Sequence, residues 1–138
     1  MYYQVKVKYN TVTESGKEVQ VGEEYLVDKC ILHGEAESVM LNHGLQYSMQ
    51  NMDVVGVKRS KIVEFINEAE CEEIYISTIV DKFIDENGKV KETKYEVGVY
   101  ASSVDDATNK TNEYMKQGLS DLSLVCVKKT NIVEVLSL

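Results

Sequence analysis

The sequence predicts an α+β fold made of two tandem copies of one unit, with about six antiparallel strands and two helices in a single domain. Three observations carry this reading. First, Val57-Lys58-Arg59-Ser60-Lys61-Ile62-Val63-Glu64-Phe65-Ile66 returns seventy positions later as Val127-Lys128-Lys129-Thr130-Asn131-Ile132-Val133-Glu134-Val135-Leu136, with five identities in ten. Second, each copy is preceded by a hairpin signal, Glu14-Ser15-Gly16-Lys17 and Asp85-Glu86-Asn87-Gly88-Lys89, between runs of alternating apolar and polar residues. Third, a stretch with helical spacing separates hairpin from repeat in both halves.

In chain order, Tyr3, Val5, Val7 and Tyr9 alternate with Gln4, Lys6 and Lys8, the period of a half-buried strand. Val19, Val21, Tyr25 and Val27 form the returning strand, where Gly22 is expected to mark a bulge. From Gly34 to Met49 the spacing turns helical, with Ala36, Val39, Met40, His43 and Tyr47 on one face and Gly44 as a weak point. Val55, Val57 and Arg59 share one parity that Ile62, Val63 and Phe65 do not keep. Either a bulge or a break into two short strands reconciles them. The second half repeats the order: a strand from Tyr75 to Phe83, another from Val90 to Ala101, a helix capped by Ser103 with Asp106, closed at Gly118, and a final strand. The repeat spans residues 1–66 and 74–138, joined by the acidic connector 67–73.

A chain of 138 residues with 43% hydrophobic content suits one sizeable core. No signal peptide or membrane-length apolar run is present, so a cytoplasmic protein is expected. Cys30, Cys71 and Cys126 are odd in number and widely spaced, which suggests neither disulfides nor a zinc site. Cys30 and Cys126 are expected in the core, and Cys71 among glutamates should be unreactive.

The net charge of −8 argues against nucleic-acid binding. Half of it sits in the connector, which holds four acids and no base. With two histidines and no catalytic motif, no enzymatic activity, cofactor or metal is expected. Arg59 is the sole arginine, and with Lys58 and Lys61 it forms the best candidate for contacting an anion. Lys128 and Lys129 occupy the repeat-equivalent positions. Among nine tyrosines, Tyr47 is a candidate stacking partner for a base.

The pairs Tyr2-Tyr3 and Val5-Lys6-Val7, then Tyr25-Leu26-Val27-Asp28, Glu35-Ala36-Glu37 and Val57-Lys58-Arg59-Ser60-Lys61, resemble an uncharacterised family of short proteins. That family is a domain of unknown function from gut bacteria, their mobile elements and phages. Tyr2-Tyr3 stands where its pattern has Trp-Phe, and Lys29 where it has a small residue. The resemblance implies a phage or mobile-element setting, in which small proteins counter host defence, including oligomeric sponges for cyclic nucleotides. The expected function is therefore a non-enzymatic, homo-oligomeric protein that sequesters a small anionic ligand such as a cyclic nucleotide, in the host cytoplasm if phage-encoded. The alternative is a structural or protein-interaction role with a host or virion protein and no small ligand.

Overall fold

The computed structural model describes residues 1–47, 49–69, 72–118 and 121–138. The element order is β1 (Tyr3–Val12), β2 (Glu18–Asp28), α1 (His33–Gln46), β3 (Gln50–Arg59), β4 (Ile62–Phe65), β5 (Glu73–Ile84), β6 (Val90–Ala101), α2 (Val104–Lys116), β7 (Asp121–Lys129) and β8 (Ile132–Ser137). The expectation of about six antiparallel strands is overturned. Among the described residues the protein is mostly β, with eight strands in two four-stranded sheets, ordered β3-β1-β2-β8 and β4-β6-β5-β7. Two of the pairings are parallel, β2 with β8 and β4 with β6.

The two additional strands have one cause. The repeated stretch breaks at Ser60-Lys61 and again at Thr130-Asn131, so each copy supplies two strands, and the second joins a different sheet from the first. The chain accordingly forms two compact units, one of residues 1–60 with 131–138 and the other of residues 61–130. Unit 1 thus takes its last strand from the end of the second repeat, and unit 2 takes β4 from the end of the first. These cuts fall away from the acidic connector. Glu70 and Cys71 lie outside the described residues, while Glu72 and Glu73 each meet a lysine, Lys110 and Lys129, at 3.1 Å.

Local chemistry explains the elements. Gly16 and Gly88 take φ of 81° and 76°, the left-handed region in which a side chain would be strained, and each closes its hairpin with a hydrogen bond back to Thr13 or Asp85. Ser103 caps α2, its hydroxyl accepting from the Asp106 amide at 3.1 Å. The Asp106 carboxylate in turn accepts from the Ser102 amide and from Lys110, and those bonds hold its pKa below the usual range. Lys29 has φ 63°, a conformation that glycine reaches without strain.

The bulge expected at Gly22 is absent, since β1 and β2 pair in unbroken register from Tyr3↔Val27 to Val12↔Glu18. The irregularities of this sheet fall instead between β1 and β3, at Lys6/Val7 and Lys8/Asn10, and between β2 and β8, at Glu24/Leu26. Gly44 is buried in α1 because Met52 of β3 occupies the space a Cβ would need, 2.6 Å away.

Each unit packs one helix on one sheet face. In unit 1, Tyr3, Val5, Val7, Tyr25 and Val27 pack against Ala36 and Met40. In unit 2, Tyr75, Ile79, Val97 and Val99 pack against Ala107. Exposure follows the repeat residue by residue, with Ile62 and Ile132 buried at 4% and 8% and Val55 and Val125 both 56% exposed. Cys30 is buried, but Cys126 is exposed, because strand alternation turns it away from the helix.

At one core position the units differ. Where unit 1 has Val5 and Met40, unit 2 has Ser77 and Thr111, both fully buried and bonded hydroxyl to hydroxyl at 2.8 Å. Thr111 also donates to the Ala107 carbonyl, so Ser77 is the donor of the pair. Thr111→Val should strand the Ser77 hydroxyl and cost about 1–3 kcal/mol. The double variant Ser77→Val/Thr111→Met, apolar as in unit 1, should recover most of that loss in urea unfolding. A Thr111→Val midpoint equal to the parent's would show that the pair carries no stability.

Candidate functional site

Lys58, Arg59, Lys61, Lys128 and Lys129 do not converge. Consecutive residues of an extended strand project to opposite faces. Lys58 stands opposite Gln4, on the helix-free face of its sheet, and Arg59 stands opposite Tyr3, on the helix side. Lys128 and Lys129 divide in the same way, opposite Ile76 and Tyr75. Lys129 is tied to Glu73 at 3.1 Å, a bond that raises the lysine pKa and offsets its charge. Lys61 is exposed between β3 and β4 and belongs to unit 2, whereas Lys58 and Arg59 belong to unit 1. Among the described residues, neither Lys58 nor Arg59 makes an ion pair.

The residues that do come together in unit 1 were legible only as single strand positions. On the helix-free face, β1 presents Gln4, Lys6 and Lys8 in a row, and the β1–β3 register adds Lys58 beside Gln4. A cleft of about 480 Å³ opens there, lined by Lys6, Lys8, Gly22, Glu24, Val55 and Val133. Gly22, which brings no side chain, lies opposite Lys8 in the β1–β2 register. Lys6 is held by Glu24 at 3.4 Å, while Lys8 has no ion pair among the described residues. The valines come from the two copies of the repeated stretch, a convergence that strand exchange creates and periodicity cannot reveal.

The helix side of the same sheet carries different chemistry. Beyond the apolar core, near the C-terminal end of α1, lie Tyr9, Glu23, Tyr25, His43, Tyr47 and Glu134, around a cleft of about 380 Å³. Tyr25 donates to Glu23 at 3.2 Å. Burial and then the Glu23 charge push the Tyr25 phenol well above its ordinary value, and the hydrogen bond to Glu23, with some burial, raises Tyr9 to about 12. Both phenols therefore stay neutral at physiological pH and act as hydrogen-bond donors. Tyr47, picked out as a stacking partner for an anionic ligand, is 66% exposed and sits among these carboxylates, 4.5 Å ring to ring from His43.

Unit 2 holds a related cluster. There Tyr114, the α2 residue equivalent to His43, donates to Glu64, the residue equivalent to Glu134, and this bond raises the Tyr114 pKa. Tyr95 is raised by burial and by the nearby Asp81 and Glu64 charges. Among the described residues, no three His, Cys, Asp or Glu side chains are placed to hold a metal ion. Among the described residues, no helix is long and apolar enough to cross a membrane.

No curated protein and no solved structure matches the chain. A domain of unknown function, DUF4494, matches residues 1–138, and the chain belongs to that family.

Proposed function

We propose that this chain is a non-enzymatic binding protein of a phage or mobile element of gut bacteria, which captures a small anionic ligand such as a signalling nucleotide in the host cytoplasm. The observation that carries the reading is the cleft of about 480 Å³ on the helix-free face of unit 1, within the size range of small-molecule sites. Lys6 and Lys8 supply positive charge along one edge, and Val55 and Val133 supply apolar surface on which a base or other flat group can rest. Lys58 extends the basic row. Arg59, on the opposite face at the sheet edge, is a secondary contact at most.

Titration calorimetry against a panel of cyclic nucleotides tests this. At least one member should bind, and Lys8→Ala should weaken it about tenfold, the scale of losing one charge-assisted hydrogen bond. Arg59→Ala should matter less, and Lys129→Ala least. Silence of the wild-type protein across the panel would remove the proposal.

A protein-interaction role has its own support. β3 and β7 are edge strands, and both expose a valine, Val55 and Val125, at equivalent positions. An unpaired edge with exposed apolar side chains is a template for pairing with a second chain, including a second copy. Sedimentation showing a monomer at all concentrations would count against the homo-oligomer.

A further inference from the structure

The helix-side cleft of unit 1 is charged differently from the helix-free one, where Lys6 and Lys8 are accompanied by Glu24. Its lining brings two carboxylates, Glu23 and Glu134, together with the rings of Tyr9, Tyr25, His43 and Tyr47. No lysine or arginine lines it. His43 lies between Tyr25 and Tyr47, with ring centroids 5.2 Å and 4.5 Å apart and the rings tilted by 58° and 37°; Tyr25 is buried, so His43 and Tyr47 supply the aromatic surface. Carboxylates that supply charge, beside aromatic faces that attract a cation through their quadrupoles, make the arrangement that recognises organic ammonium groups.

We propose that this cleft binds an organic ammonium ligand of the linear polyamine class. One carboxylate is already engaged, Glu23 accepting from Tyr25. Glu134 is not: among the described residues it makes no hydrogen bond or ion pair. Unit 2 shows what closing such a cluster looks like, for there Tyr114 reaches Glu64 and satisfies it from within the chain. In unit 1 His43 takes the place of that tyrosine and lies tilted between Tyr25 and Tyr47 instead, leaving Glu134 exposed at the cleft. A linear polyamine fits because its ammonium groups are separated by methylenes. One group can meet Glu134 while the chain lies along the Tyr47 and His43 rings and a second group approaches Glu23. The cleft volume of about 380 Å³ is at the lower end of small-ligand sites, which suits a slender chain.

Titration calorimetry of the full chain with spermidine, at about 150 mM salt so that diffuse attraction to the net negative surface is screened, tests the assignment. One saturable site per chain is expected. Glu134→Gln, which preserves shape, and Tyr47→Ala, at an exposed ring, should each weaken it about two- to fivefold. Glu37→Gln in the same unit and Glu64→Gln in the other should leave it unchanged. Proton resonances of the His43 ring should shift on saturation, a readout independent of heat. The proposal is overturned if spermidine gives neither heat nor shifts. It is equally overturned if Glu37→Gln weakens binding as much as Glu134→Gln, or if magnesium chloride at equal charge displaces spermidine completely, since both results mark diffuse electrostatics.

Discussion

Removing residues 131–138 should unfold unit 1 while leaving the β5–β6–β7 ladder of unit 2 in place. The deleted segment contains β8, which closes one edge of the unit 1 sheet through parallel pairing with β2, from Glu24↔Ile132 to Asp28↔Ser137. It also removes Ile132, only 8% exposed, and Leu136, which packs against the core of Tyr3, Val5 and Tyr25. Fully burying an aliphatic side chain is worth about 1.5–3 kcal/mol, so Ile132 carries about that much and the half-buried Leu136 adds less. That is a large part of the total stability of about 5–15 kcal/mol usual for a domain, before counting the bared edge of β2. Circular dichroism and amide exchange should show loss of protection in β1 and β2, with β5 and β6 still protected. A synthetic 131–138 peptide should restore it. Unchanged protection in β1 and β2 after the deletion would refute the strand exchange.

The second large effect concerns the corresponding strand of unit 2. β4 runs parallel to β6 with Phe65 opposite Gly98, and a Cβ on Gly98 would lie 2.6 Å from the Phe65 ring. The equivalent pair in unit 1 is Val135 opposite Leu26. The units therefore fill the same space in opposite ways, a large ring over no side chain in one and two mid-sized aliphatic residues in the other. Gly98→Leu should cost about 1–3 kcal/mol through overpacking, because Phe65 must leave its place over β6 and its contact with Tyr100, 5.2 Å ring to ring. Phe65→Val alone should also destabilise, by leaving a void over Gly98. Together they recreate the unit 1 pair, so the double variant should recover at least about 1 kcal/mol relative to the sum of the singles. Strict additivity in urea unfolding would show that the two positions do not share the space.

Both predictions rest on a feature that no local pattern contains. Hairpins at Gly16 and Gly88, the Ser103 cap and the two helices were legible because each depends on residues within a few positions of one another. The break at Ser60 was legible as a change of parity between Val57 and Ile62. Where Ile62 and Ile132 go next was not, because parallel pairing with β6 and β2 joins segments more than thirty and one hundred positions apart. The candidate site shows the same limit. Lys58 and Arg59 looked like a cluster because they are adjacent in sequence, yet adjacency on a strand separates side chains.

The sequence by itself determined the repeat, the strand and helix types, the turn glycines and the exposure pattern that both copies share. These follow from backbone conformational preference and hydrophobic periodicity, which act over short range. Only the tertiary structure decided which sheet each last strand enters and which side chains share a face. It also decided that Lys6, Lys8 and Lys58 share the helix-free face of the unit 1 sheet, while Glu23 and Glu134 meet tyrosines on the helix side. Those outcomes depend on register and strand order, and they are set by packing between segments far apart in the chain.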